Sequence, residues 1–357
     1  MLNIFITFDY ELFFGKNFFS DERVLFDPSQ KIFDILNKEN VKATFFADIC
    51  SVIRHEHYGL LSYVEHFTKQ MLDFYGAGHD IQLHVHPHWF SSDYKNGDWI
   101  FDKSRYSLND WGYDNNASTN AYSILDASID RLNSMMSEKY RQYQCIAYRA
   151  GGYSVEPHEK LFPYLRQKGI IIDSSVAMKT KNEGGMAQKY DYTILPEKLN
   201  WWIAPQQPIT QEGNPKYLSE SLFELPVGYY QKNLRDRLLI RKNRMTFLRG
   251  ESTGTGISVP NEKNAKMSVI KKILNYNSQC IKLSLDSTGA DLMMIALKRL
   301  YKKYDGKNND LYLAVIGHPK SFSGQAFENM KQFIKLVQQQ KEFFRFITLS
   351  DLYRTII

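Results

Sequence analysis

Four of the nine histidines fall within residues 78–89, in the stretch Gly78-His79-Asp80-Ile81-Gln82-Leu83-His84-Val85-His86-Pro87-His88-Trp89. His84, His86 and His88 are spaced by two, so on an extended strand all three face one side. Pro87 breaks that pattern. It has no N–H for a central ladder and holds His86 to extended or turn geometry, which ends the strand near Val85 and folds His88 back from the loop. Two imidazoles converging from a strand end and its loop suit a borderline-soft divalent metal if a carboxylate joins them. The apolar run over residues 2–8 supplies candidates, because it ends on Asp9-Tyr10-Glu11 and two acids at i and i+2 share a face of the strand end.

The same arrangement recurs along the chain. A predicted strand over 145–148 delivers Arg149-Ala150-Gly151-Gly152-Tyr153, one over 170–172 ends on Asp173-Ser174-Ser175, and one over 312–316 ends on Gly317-His318-Pro319. The paired glycines allow close backbone approach or positive φ, as a loop with N–H groups facing a ligand needs. Together these residues give two imidazoles and a carboxylate for a metal, a second carboxylate as base and a distal histidine as acid, the inventory of metal-assisted hydrolysis. Each also has a plainer reading. Single histidines are often satisfied by hydrogen bonds alone, Asp173-Ser174 is a good helix cap, and Arg149 suits a structural ion pair.

Residues so placed need a scaffold that gathers strand ends. Predicted strands over 2–8, 41–46, 81–85, 145–148, 170–172, 222–227 and 312–316 alternate with predicted helices over 28–37, 58–74, 121–135, 156–167, 289–304 and 324–339, the pattern of a parallel sheet with crossover helices. We expect an α/β fold, a single distorted (β/α) barrel over 1–357 of about seven parallel strands with elaborated loops, whose active site lies at the carboxyl ends of the strands. Further strands are expected at 192–195, 281–285 and 344–348. The loop over 90–116 reads as a lid or substrate wall, and the basic, irregular stretch around 229–280 as an insertion. Thr253-Gly254-Thr255-Gly256 within it is too isolated a glycine pattern for a phosphate loop.

With 43 % hydrophobic and 24 % charged residues the composition is globular, and the net charge of +6 is dispersed rather than gathered into a basic, aromatic stripe, which argues against nucleic acid as a partner. Cys50, Cys145 and Cys280 are widely spaced in apolar surroundings, as reduced thiols are. Residues 1–8 read as a first strand and not a signal peptide, and no apolar run is long enough to span a bilayer. A cytoplasmic location is the expectation.

At these positions the chain resembles the polysaccharide deacetylase superfamily, the NodB-homology domains of carbohydrate esterase family 4. Thr7-Phe8-Asp9-Tyr10-Glu11 resembles its first motif, His79-Asp80-Ile81 through His84 and His88 its second, Arg149 to Tyr153 its third, and Gly317-His318 its last. The resemblance implies a distorted β/α barrel with Asp9 as general base, and Glu11, His84 and His88 as ligands of a divalent metal, zinc with cobalt or nickel as substitutes. It also implies Arg149 holding the base, the Tyr153 backbone N–H at the oxyanion, His318 as acid and Asp173 tuning it. Three departures stand out. Tyr10 splits the usual adjacent acids, so Asp9 and Glu11 both stay open as the carboxylate ligand; Gly151-Gly152 stands where Pro is common; and Asp173 lacks its usual Trp neighbour. The expected function is removal of an N-acetyl group from an amino-sugar-containing saccharide, nucleotide- or lipid-linked, in surface polysaccharide or lipopolysaccharide biosynthesis. The alternatives are hydrolysis of a non-sugar amide, or a catalytically degenerate saccharide-binding barrel. Oligomeric state is left open.

Overall fold

The computed structural model describes all residues except 18, 103, 115, 185–188, 197, 232, 234–235, 249–255, 259–279 and 306. Much of the expected insertion, including Thr253-Gly254 and the basic run over 263–272, thus lies outside the described residues.

Leu2–Tyr10 (β1) is buried along its whole length, the signature of a strand covered on both faces. Around it runs a nine-stranded sheet. Thr44–Asp48 (β2), Asp80–Val85 (β3), Ala147–Ala150 (β6), Ile172–Asp173 (β7) and Leu222–Glu224 (β9) follow β1 in parallel on one side, with Trp201–Ile203 (β8) antiparallel at the end. Leu311–Gly317 (β11) pairs with the other side of β1, and Phe344–Phe346 (β12) adds a short parallel pairing to residues 2–4. The sheet curls until its sides meet, since Val227 bridges Ala314 and Ser284 bridges Ile316, both in parallel sense. Outside lie the amphipathic helices, among them Asp27–Lys38 (α1), Ile49–His57 (α2), Leu61–Gly76 (α3), Ala121–Ser137 (α4) and His158–Gln167 (α5).

The strand–helix alternation is therefore as expected, with additions. Helix α2 is new, the segment expected as a strand over 192–195 is turn and irregular chain, and the antiparallel β8 was not foreseen. The loop over 90–116 contains a hairpin, Asp93–Lys95 (β4) with Asp98–Ile100 (β5). Asn96 and Gly97 in its turn have φ of 54° and 85°, the positive values a type I′ connection requires. Cys280–Lys282 (β10) confirms part of the strand expected over 281–285.

Register does the positioning. Asp48 pairs with His84 and His84 with Arg149, Asp173 pairs with Tyr148 and Glu224, and Gly317 pairs with Phe8. Asp48, His84 and Arg149 thus share one row, Asp173 and Glu224 share the row of Tyr148 one residue before it, and the carboxyl ends of the strands gather these groups at one rim. Not all of the histidine stretch belongs to it: His79 is a core residue, its Nδ1 accepting from Ala43 N (3.1 Å) and its Nε2 facing Asn37 (3.2 Å), with burial lowering it to about 3.

Candidate active site

Asp9, the last but one residue of β1, is 3 % exposed. Arg149, wholly buried on β6, reaches it with Nη1 donating to Oδ1 at 2.6 Å and to Thr7 Oγ1 at 3.0 Å. The rest of the guanidinium is fixed by Ser174, which accepts at its carbonyl and hydroxyl oxygens (both 2.8 Å), and by the Phe46 ring 4.0 Å away. The other oxygen of Asp9 faces His318 Nε2 at 3.6 Å and His84 Nε2 at 3.8 Å. Burial pushes the Asp9 carboxyl up, but Arg149, His84 and His318 outweigh it and hold it below the ordinary value.

His318 follows β11, with Nδ1 2.8 Å from Asp286 Oδ2 and its backbone N–H donating to the same oxygen. The Nδ1 proton thus goes to Asp286 and Nε2 turns to Asp9. Burial opposes charge on His318, yet Asp286 and Asp9 raise its pKa above the usual histidine value. Asp173, expected in the tuning role, sits elsewhere: its oxygens take the Ser175 hydroxyl (2.6 Å) and N–H, and it neighbours Glu224. The topology explains the exchange. Ser284 bridges Ile316, so two residues on, Asp286 stands beside His318, whereas β7 lies beyond β6. Asp286 follows a strand expected over 281–285, so the rule that located the other acids also reaches it.

Glu11 lies just past β1 and gathers the imidazoles. His84 Nε2 is 3.2 Å from Glu11 Oε2, His86 Nε2 contacts the same oxygen, and Lys320 Nζ holds Oε1 at 2.9 Å. Burial raises the Glu11 carboxyl, but Lys320 and His86 bring it well below its ordinary value. Glu11, His84 and His86 have ligand atoms within 4.8 Å of one another, as do Asp9, Glu11 and His318. His88 belongs to neither group. Period two keeps His84 and His86 on one side, and the turn begun at Pro87 carries His88 into a 3-10 helix, where its ring lies near-parallel to Tyr106 (centroids 5.8 Å apart) and Trp89 (5.5 Å). Both its nitrogens lack partners among the described residues, and burial holds its pKa far below the usual value.

The Glu11–His84–His86 group suits a divalent cation. His84 Nδ1 donates to Arg149 O at 2.8 Å, which turns Nε2 toward the carboxylates. Such a backbone contact is how metal-bound imidazoles are usually oriented. Two imidazole lone pairs and a carboxylate oxygen so close together repel unless a shared cation or added protons intervene. His84 registers this, since burial opposes its charge but Asp9 and Glu11 raise it to about 9. Nearby, Asp48 is 1 % exposed, accepts from Trp89 Nε1 at 2.8 Å through Oδ2, and leaves Oδ1 without a partner among the described residues.

The segment from Gly151 to Tyr153 shapes both halves. A Cβ on Gly151 would stand 2.6 Å from His86 Nδ1 and 2.7 Å from Val85 O, so only glycine admits this approach. Gly152 and Tyr153 follow at φ of 70° and 65°. The positive φ at a tyrosine is strain of the kind found at functional sites. Tyr192 OH donates to Tyr153 O at 2.7 Å, and Lys282 Nζ lies 3.5 Å from the Tyr153 ring centroid. Burial lowers Lys282 to about 8, against the pull of Asp9 and Asp286. Asp48, Lys282, Asp286 and Lys320 are thus the site residues that sequence reasoning missed.

No protein-family model matches the chain, and no curated protein matches it by sequence. Solved structures do match it, and three of them are as follows. A putative polysaccharide deacetylase from Mycobacterium smegmatis is 14 % identical with a TM-score of 0.49, covering 99 % of this chain and 89 % of its own. The PuuE allantoinase is 13 % identical with a TM-score of 0.48, at the same coverages. A probable polysaccharide deacetylase from Pseudomonas aeruginosa PAO1 is 11 % identical with a TM-score of 0.47, covering 99 % of this chain and 90 % of its own. At such identity and overlap, the reading of the site rests on its own geometry.

Proposed function

We propose that the chain is a metal-dependent hydrolase of amide bonds that removes an acetyl group from an N-acetylated amino sugar. The observation that carries this reading is the position of Asp9, between Arg149 at 2.6 Å and His318 at 3.6 Å and beside the Glu11–His84–His86 group. Glu11, His84 and His86 would hold the metal. When bound, a divalent cation there supplies Lewis-acid polarisation of the amide carbonyl.

The remaining roles follow from protons and charge. Arg149 occupies Asp9 Oδ1, leaving Oδ2 to take the proton of an attacking water. His318, protonated on Nδ1 toward Asp286, carries its second proton on Nε2 and gives it to the leaving amine, as general acids do. Base and acid so lie side by side, Asp9 Oδ2 3.6 Å from His318 Nε2, beside the Glu11–His84–His86 group. The four-motif resemblance supports a saccharide as substrate, and surface polysaccharide or lipopolysaccharide assembly as its setting.

The test is acetate release from N-acetylated sugar oligomers, a nucleotide-linked N-acetyl sugar and a lipid-linked one, by the zinc-loaded protein and by Asp9→Asn. Release from at least one saccharide that disappears in Asp9→Asn supports the reading. Zinc bound without release from any of them would overturn it.

A further inference from the structure

A cavity lies outside this site. It holds about 920 Å³, within the range of small-molecule sites, and none of Asp9, Glu11, His84, His86 and His318 lines it. Its walls come from the β4–β5 hairpin, the start of α3, the end of α2 and the segment around Asp21. Trp89 separates it from the imidazoles: its ring packs on His88 at 5.5 Å, and on Trp99 and His55 of the cavity wall at 4.9 and 5.5 Å.

The lining combines aromatic faces with hydrogen-bond acceptors. Tyr63, Trp99 and Phe101 supply the rings, and Leu61 beside them stays 55 % exposed, apolar surface that no part of the described chain covers. His55, 1 % exposed, stacks on Tyr63 at 3.8 Å and donates from Nδ1 to Ser51 O at 2.7 Å. Its Nε2 is thereby an acceptor, without a partner among the described residues, and burial keeps the ring neutral with a pKa near 4. Asp21 lines the cavity with no described ion pair or side-chain hydrogen bond, raised to about 6 by burial and by Glu22, so it is charged at neutral pH. Glu22 and Asp98 add carboxylates, Glu22 sharing His66 at 3.1 Å. No lysine or arginine is among the described lining residues, in a chain of net charge +6.

Such a lining has acceptors and π-faces to offer and needs donors and positive charge in return. Aromatic faces attract cations and carboxylates pair with ammonium groups. We propose that this cavity is a second binding site, for a small ring compound bearing a primary ammonium group and hydroxyls, the chemistry of an amino sugar. It goes beyond the hydrolase reading and stands without it.

The test is calorimetric titration near neutral pH with glucosamine, and with glucose as its neutral counterpart. The expected result is saturable binding of glucosamine in preference to glucose, about tenfold weaker in Asp21→Asn and in Trp99→Phe, as loss of one charged or cation–π contact implies. Binding is expected unchanged in His84→Ala/His86→Ala. Asp21→Asn is isosteric at a half-buried position, so it probes the contact and not folding. The proposal is overturned by absence of saturable binding, by equal binding of glucose, by indifference to both cavity variants, or by loss in the histidine double variant, which would place the ligand at the other site.

Discussion

Asp9 and Glu11 at the end of β1 and Asp173 and Glu224 at the ends of β7 and β9 are all buried at the same rim of the sheet, yet their carboxyls are driven in opposite directions. The first two meet Arg149, Lys320 and three imidazoles, which offset the cost of burial and keep them ionised. The second two are neighbours in register, with Ser175 and Val176 N–H as their hydrogen-bonding partners, and burial pushes both up, Glu224 furthest because Asp173 adds its own repulsion. Such a pair shares a proton. Residence at the strand ends gathers acids; neighbouring cations decide which of them can serve as base or ligand.

Replacing the groups around Asp9 tests that division, and the largest effect is expected at His318. His318→Ala should lower kcat by about 100- to 10,000-fold, the usual contribution of a general acid, in steady-state kinetics at saturating metal. Asp286→Asn should keep the acid but weaken its hold on the proton. His318 must be protonated to act, its pKa is raised by Asp286, and activity is therefore lost as pH rises through that value; the alkaline limb of the kcat/KM profile should move to lower pH. An unmoved limb would break the assignment of Asp286.

Arg149→Met leaves Asp9 buried without its guanidinium and should cost about 3–5 kcal/mol of stability in urea unfolding. A cost near that of an exposed ion pair would show that the Asp9 half depends less on charge than the comparison requires. Gly151→Ala should force His86 aside, since the added carbon meets Nδ1 at 2.6 Å, and weaken zinc affinity by about 10- to 100-fold, the usual effect of disturbing a ligand's support.

Glu224→Gln probes the uncharged pair and has the smallest effect. Because its pKa is raised in the folded chain, Glu224 is protonated there and ionised when unfolded once pH exceeds its ordinary 4.5, so native stability falls as pH rises above that point. The variant lacks this titration. Its stability relative to wild type should grow from pH 5 to pH 7 by on the order of 1 kcal/mol, read from denaturant midpoints at each pH.

Much of this was legible in residue pattern. Apolar runs such as 2–8 and 81–85 mark the buried parallel strands, and the polar residues at the carboxyl ends of such runs put Asp9, Glu11, His84, Arg149 and His318 at one rim. The choice among the histidines was not legible, because it depends on where Pro87 bends the chain and on Gly151 approaching from β6. Asp48 and Asp286 end runs of the same kind, so their signal was present. Lys320 gave none: its ammonium meets Glu11, Leu12 O and the Phe13 and Phe14 rings, and Leu12 is 308 residues away in sequence. The hairpin inside 90–116 was announced by Asn96-Gly97, whereas α2 hid in a mixed polar stretch ending in Arg54, His55 and His57.

The most direct test of the central claim is metal content. Wild type, His86→Ala and His88→Ala would be reconstituted with zinc, checked for folding by circular dichroism, and analysed for bound metal by mass spectrometry. About one zinc per chain in wild type and in His88→Ala, and none in His86→Ala, is the predicted result for a three-ligand site. Zinc retained in His86→Ala but lost in His88→Ala would contradict the ligand set, and no zinc in wild type would contradict the metal centre itself.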